Sequence, residues 1–247
     1  MSKVKTVLIT GGSRGIGKSI AKKFASNNYN IVFTYSTNTD ASNKTCEELI
    51  KYDVEVLSIK VDFNHSNSIT KMFDIYKEKF DTLDVLVNNA AWTKYLNHDR
   101  QLDLSEDIFD KIINVNLKSI YFIIQSAVPL MINGDDSSII NISSIASYNG
   151  IGSNIAYCAS KAGINSFTKS FAKLLGPKIR VNGIAPGLTQ TDLTKTAPKS
   201  YLDNQLNHTP LDRLAKPEDI SDVAYSLAHD MKFVNGKTIV VDGGSLD

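Results

Sequence analysis

Tyr157 and Lys161 stand four residues apart in the run Tyr157-Cys158-Ala159-Ser160-Lys161, and the apolar residues after them, Ile164, Phe167, Phe171 and Leu174, recur at helical spacing. On a helix, side chains four apart share a face, so the phenol and the ammonium point the same way. A free tyrosine titrates near ~10 and exchanges its proton poorly at neutral pH. A cation fixed beside it stabilises the phenolate, and such a tyrosine becomes a general acid or base that works near neutrality. The bland alternative is a half-buried tyrosine beside a solvated lysine, so the pair needs support from elsewhere in the chain.

A second group suited to chemistry is Thr10-Gly11-Gly12-Ser13-Arg14-Gly15-Ile16-Gly17, between a short apolar run and a helical pattern. Backbone N–H groups at a helix N-terminus, with its positive dipole end, favour the pyrophosphate of a dinucleotide. Gly11 permits the tight turn, Gly15 lets the backbone approach the ligand, and Gly17 allows close packing of helix on strand. The spacing is Gly-x-x-x-Gly-x-Gly rather than Gly-x-Gly-x-x-Gly.

The elements that must position these residues alternate along the chain. Strands are expected at Val4 to Thr10, Asn30 to Tyr35, Val54 to Val61, Val85 to Asn88, Ser138 to Ile142, Ile179 to Ala185 and Lys237 to Val241. Helices are expected at Ile16 to Asn27, Ala41 to Tyr52, Ser66 to Phe80, Ser105 to Asn133 with a break near Asn114 to Asn116, Tyr157 to Leu175, and Pro217 to His229 with proline at its start. Such alternation implies right-handed crossovers and a parallel sheet covered on both faces. The expected fold is α/β: a single doubly wound (Rossmann) domain over residues 1–247 with a seven-stranded parallel sheet. Its ligand crevice lies beyond the carboxyl ends of the strands, at the switch point.

Composition agrees. A chain of 247 residues, 42% hydrophobic and 21% charged, is long enough for one large core. A formal net charge of +1 gives no electrostatic case for nucleic acid or an anionic membrane surface. Two cysteines, Cys46 and Cys158, stand in no metal-like or redox spacing, which fits a reducing compartment. With no apolar signal core at the N-terminus and no run approaching the ~18 apolar residues of a membrane span, the expected location is cytoplasmic.

The glycine pattern, Asn88-Asn89-Ala90-Ala91 after the fourth strand, Asn116, Ser144, Tyr157-x-x-x-Lys161 and Pro186-Gly187 occur in an order that resembles the short-chain dehydrogenase/reductase family, from about Lys5 to Gly244. Within it the chain is most similar to the 3-oxoacyl-[acyl-carrier-protein] reductase-like members. The resemblance implies that Tyr157 gives its proton to a substrate carbonyl, or takes one in oxidation. It implies that Lys161 lowers the pKa of Tyr157 and bonds the nicotinamide ribose. Ser144, favoured over Ser143 by the family's serine-to-tyrosine spacing, would polarise the carbonyl. Asn116 would break the long helix and hold a water that relays protons through Lys161. Asp62 and Phe63 would flank the adenine, Asn88 and Ala90 the ribose, and Pro186, Gly187, Leu188, Thr189 and Thr191 the nicotinamide amide. One departure stands out: Ala91 occupies a position that is usually glycine.

NAD binders place an acid at the end of the second strand. Here that strand ends Tyr35-Ser36-Thr37 with no acid, and Asp40, further on, is expected to cap the next helix. Arg14 is placed to pair with a 2′-phosphate, with Ser36 and Thr37 donating hydrogen bonds. The expected cofactor is NADP(H) rather than NAD. Residues 188–211 lack a clean period and fall where the family carries a substrate lid. Trp92, Tyr95, Tyr148 and Leu193 are candidate pocket residues. His98 and His208 read as surface or lid residues, with no metal site, and Cys158 as a small buried residue.

The run Leu117 to Met131 is apolar nearly all round, and with Tyr157 to Leu175 it is expected to meet partner subunits in a homotetramer, or a dimer. The expected activity is NADP(H)-dependent hydride transfer between nicotinamide and a carbonyl or secondary alcohol, with 3-oxoacyl thioester, sugar, polyol and steroid substrates all open and a carrier-protein partner neither supported nor excluded. The rival reading is a non-catalytic NADP-sensing regulator, against which an intact Ser144, Tyr157 and Lys161 set argues.

Overall fold

The computed structural model describes residues 4–65, 67–134, 136–191, 194 and 199–246. Seven parallel strands, β1 (Thr6–Ile9), β2 (Asn30–Tyr35), β3 (Val56–Lys60), β4 (Val85–Asn88), β5 (Ser137–Ile142), β6 (Ile179–Pro186) and β7 (Thr238–Val241), form one sheet in the order β3-β2-β1-β4-β5-β6-β7. The order reverses between β1 and β4, which pair with Leu8 opposite Leu86. The crevice therefore opens between the glycine turn after β1 and Asn88 to Ala91 after β4.

Strand residues alternate between two buried clusters. Leu8, Leu86 and Ile139 join one with Met72, Phe73, Ile123, Ile124 and Ile164. Val7, Ile9, Val87 and Ile140 join the other with Ile20, Phe24, Ile220 and Leu227. The first lies under α3 (Asn67–Lys77), α5 (Ser119–Met131) and α7 (Ile155–Leu175), the second under α1 (Gly15–Ala25), α2 (Thr39–Leu49) and α9 (Pro217–His229). Apolar residues on both faces are what a sheet covered on both sides requires.

Three local expectations change. The break near Asn114 to Asn116 is a π-helical stretch, Asn114–Lys118, that joins α4 (Glu106–Ile113) to α5 without interruption. The cap of α2 is Asn38, whose Oδ1 accepts Ala41 N at 2.9 Å, while Asp40 lies in the first turn and complements the helix dipole. Two helices join the list, α6 (Ala146–Asn149) and α8 (Lys199–Asn207). The only periodic signal in α8 is Leu202 and Leu206, one turn apart and both half-buried. Pro217 opens α9 at its first position as expected. No helix among the described residues is long and apolar enough to cross a membrane.

Candidate active site

The turn after β1 is built to bring backbone close to a ligand. Gly11 has φ +69°, and a Cβ there would stand 3.1 Å from Ala90 Cα, so the turn needs glycine twice over. A Cβ on Gly17 would collide with Gly11 O and Asn89 Nδ2. Gly17 thus packs the helix onto the turn itself, not onto a strand as expected. Asn89, present in the motif after β4 but given no role of its own there, clamps the turn by donating from Nδ2 to Thr10 O (2.9 Å) and Gly11 O (3.0 Å). Its signal was its place beside Asn88, one of two amides at the end of a strand that faces the switch point. Ser13 O accepts Thr45 Oγ1 at 2.9 Å, which ties the turn to α2. Arg14 is the exposed N-cap of α1 in extended backbone, and Gly15 and Ile16 begin the helix. A Cβ on Gly15 would lie 3.3 Å from Thr191 Cγ2, so the loop after β6 reaches back over the start of α1.

Around this turn the other expected cofactor residues fall at the carboxyl ends of strands. Tyr35 ends β2 half-buried, and Ser36 and Thr37 are exposed beyond it. Asp62 is exposed after β3, its Oδ1 accepting Asn64 N at 3.0 Å. Phe63 departs from its expected role: it is 8% exposed and its ring belongs to the core, so only its backbone can serve an adenine. Asn88 donates from Nδ2 to Asn141 Oδ1 at 2.8 Å, and its Oδ1 is buried without a hydrogen-bond partner among the described residues. Ala90 is half-buried, its N–H held by Thr10 Oγ1 at 2.9 Å, and Ala91 is exposed. Pro186 ends β6 and accepts Ile145 N at 3.1 Å. Gly187 N donates to Val241 O, and Leu188 and Thr189 are pinned against Ala215 by a parallel bridge. Thr191 N donates to Thr194 Oγ1 at 2.8 Å.

Tyr157 is the third residue of α7. Asn154 caps that helix: its Oδ1 accepts Tyr157 N at 2.7 Å, and its Nδ2 donates to Lys94 O and Thr93 Oγ1 in the loop after β4. An asparagine three residues before the tyrosine was the readable signal for this cap. Lys161, one turn on, is 3% exposed, donates from Nζ to Ile142 O at 2.8 Å, and lies 5.6 Å from the centre of the Tyr157 ring. Burial pushes its pKa down to about 8. Ser143 is buried and donates to Lys161 O at 3.0 Å, whereas Ser144 is half-buried and its Oγ accepts Ala146 N at 3.1 Å. The hydroxyl proton of Ser144 is not used by that bond, so Ser144 is the serine suited to donate.

Asn116 is fully buried in the π-helical stretch. Its Oδ1 accepts Trp92 N at 2.8 Å, and its Nδ2 donates to Trp92 O at 3.0 Å and Ser160 Oγ at 3.3 Å. Both amide protons are committed, so the side chain braces the β4 loop against α7. Trp92 packs against the core with Lys111 Nζ 4.2 Å over its ring. Tyr95 and Tyr148 are exposed, and Leu193 lies outside the described residues. His208 is exposed with Nδ1 2.7 Å from Asn204 O, and His98 opens the short turn His98–Asp103. Cys158 is buried, which pushes its thiol pKa up and makes it a poor nucleophile. On the outer face of α5 and α7, Tyr121 (41% exposed) meets Phe122, Phe167 and Phe171, and Leu174 is 72% exposed.

The site thus gathers a backbone cradle, a phenol at a helix start, a buried ammonium and a serine at one edge of the sheet. Comparison with known proteins agrees. A family model described as Enoyl-(Acyl carrier protein) reductase matches residues 11–245. A 3-oxoacyl-[acyl-carrier-protein] reductase of Chlamydia pneumoniae is 36% identical over 97% of this chain and 96% of its own. A short-chain dehydrogenase of Burkholderia cenocepacia J2315, solved in complex with NADP, is 29% identical with a TM-score of 0.89, covering 98% of this chain and 97% of the other. A 7α-hydroxysteroid dehydrogenase complexed with NADH and 7-oxo glycochenodeoxycholic acid is 31% identical with a TM-score of 0.89, covering 97% and 93%. The chain belongs to the short-chain dehydrogenase/reductase family, oxidoreductases that use a nicotinamide cofactor to interconvert CH–OH and C=O groups.

Proposed function

We propose that this protein is an NADP(H)-dependent reductase of a carbonyl, with a 3-oxoacyl thioester as its first substrate class. The observation that carries the reading is the buried Lys161 ammonium one turn from Tyr157 at the start of α7. The residues present fit a dinucleotide: the turn at Gly11 and Gly17 has no room for side chains, and Asn88 Oδ1 waits buried for a donor. The turn and the N–H groups of Ser13 to Gly17 would hold the pyrophosphate, and Arg14, Ser36 and Thr37 the 2′-phosphate. Tyr35, Asp62, the Phe63 backbone, Asn88 and Ala90 would border the adenosine. Lys161 would reach the nicotinamide ribose, and Pro186, Gly187, Leu188, Thr189 and Thr191 the amide. The bound nicotinamide supplies the hydride.

The chain's own part is positioning and proton transfer. Ser144 donates its hydroxyl hydrogen bond to the carbonyl oxygen, stabilising charge as it develops there. Tyr157 gives that oxygen its phenolic proton, and the Lys161 ammonium stabilises the phenolate left behind. Ile142 O accepts a hydrogen bond from one of the three ammonium N–H groups, so the other two can bond the ribose and the Tyr157 phenolate, which regains its proton from solvent. Asn116 holds the loop and helix in register. Residues 188–211 serve as the substrate lid. The aromatic face of α5 and α7 meets other subunits, in a homotetramer.

Support for the substrate class comes from the 3-oxoacyl-[acyl-carrier-protein] reductase relatives, and for NADP(H) from the missing acid after β2 and the NADP-bound neighbour. The test is a panel of acetoacetyl-CoA, ketosteroids, ketoses and simple ketones followed by loss of NADPH absorbance. Fastest turnover of acetoacetyl-CoA is the expected result. Tight NADPH binding with no turnover across the panel would replace the enzyme with a cofactor-sensing regulator.

A further inference from the structure

Ser144 stands on a turn between β5 and α6, where no long element fixes it. Side chains outside the roles assigned so far tie that turn down. Ser147 donates from Oγ to Ser144 O at 2.6 Å, and its N–H bonds the same oxygen at 3.0 Å. Asn165 donates from Nδ2 to Ser147 Oγ at 2.8 Å. A hydroxyl has one proton, so an N–H arriving at Ser147 Oγ leaves that proton directed to Ser144 O. Asn165 Oδ1 in turn accepts Thr238 Oγ1 of β7 at 3.3 Å, which anchors the amide to the sheet. Ser143 ties the other end of the turn to Lys161 O.

Asn165 lies four residues beyond Lys161 and eight beyond Tyr157, so all three share one face of α7. The same stripe that carries the phenol and the ammonium therefore carries the amide that aims the serine turn. We propose that Asn165, acting through Ser147, is a positioning residue that sets where the Ser144 hydroxyl stands relative to Tyr157. This rests on the catalytic reading above. Ser143 Oγ also lies 3.3 Å from Ser147 Oγ and can donate to it. Without the Asn165 amide, the Ser147 hydroxyl loses its nearer donor and is free to turn its proton away from Ser144 O, so the Ser144 carbonyl loses its second donor. Misplacement of a reacting group by about 1 Å can cost up to ~10²-fold in rate.

The test compares Asn165→Leu and Ser147→Ala in the NADPH-dependent reduction of acetoacetyl-CoA. Each is expected to lower kcat about tenfold. The Kd for NADPH, read from quenching of Trp92, the one tryptophan in the chain, stays within about twofold of wild type. The double variant is no worse than either single one, and Asn165→Leu adds nothing in a Ser144→Ala background. Exchange of the Ser147 amide, measured without ligand, speeds up about tenfold in Asn165→Leu. The proposal is overturned by wild-type kcat in both single variants, by a further loss from Asn165→Leu in the Ser144→Ala background, or by unchanged Ser147 exchange. Should Asn165→Leu not fold, Ser147→Ala carries the same comparison. Wild-type protein inert on acetoacetyl-CoA would sink the substrate reading instead, and the exchange measurement then decides this one.

Discussion

An ammonium in the interior is costly, and Lys161 shows where that cost is accepted. Burial holds its pKa near 8 in the fold against about 10.4 in an unfolded chain. Below pH 8 both states are protonated and the folded state carries the full penalty. Between about 8 and 10.4 the unfolded state binds more protons, so stability rises with pH and the penalty disappears. At pH 7 it amounts to about 3 kcal/mol, of which about 1 returns through the bond to Ile142 O that a neutral replacement would leave unmade. Lys161→Met is therefore expected to stabilise the ligand-free protein by about 2 kcal/mol at pH 7 while abolishing turnover. The stability difference should shrink toward pH 10, which thermal melts across pH will check. Arg14→Ala, by contrast, should raise KM for NADPH about tenfold and leave KM for NADH nearly unchanged, because only the former carries the 2′-phosphate that Arg14 would pair. At this scale the sequence showed which residue types could do chemistry, but not which atoms were already engaged. Asn116 was legible as important, yet its amide is consumed by Trp92 and Ser160, contacts made between residues 24 and 44 positions apart.

The elements explain why these side chains hold still. Asn154 fixes the first turn of α7 with one end of its amide and the β4 loop with the other, so the helix that carries Tyr157 and the loop that carries Trp92 move together. Asn154→Ala is expected to destabilise the fold by about 2 kcal/mol, through the lost cap and the unpaired groups it leaves, and to lower kcat. Denaturant melts and steady-state kinetics will check both. The strands and long helices were legible because their apolar periods are strong. The π-helical stretch at Asn114–Lys118 read as a break because a widened turn shifts the period without ending the helix. α8 escaped because two leucines one turn apart are too little signal, and the cap of α2 fell to Asn38 because either residue suits a helix start until the backbone settles it.

Across the molecule, the sheet order alone brings distant segments to one edge. The turn after β1, Asn88 after β4, Ser144 after β5 and Pro186 after β6 all lie at the carboxyl ends of parallel strands, on the side where the order reverses. Alternation of strands and helices made this arrangement readable before any contact was known. The outer face of α5 and α7 was readable as excess apolar surface, and three of its aromatic rings, Tyr121, Phe167 and Phe171, lie in mutual contact. Light scattering is expected to return a tetramer mass for the wild type and a smaller species for a Tyr121→Glu, Phe171→Glu double variant, since two charges there cannot be buried unpaired. The account as a whole stands on the phenol of Tyr157 as the group that moves the proton. The most direct measurement is the Tyr157→Phe variant, with NADPH affinity and single-turnover reduction of acetoacetyl-CoA followed together. Unchanged affinity with the rate down by about 10³-fold or more is the predicted result; a rate within about tenfold of wild type would contradict it.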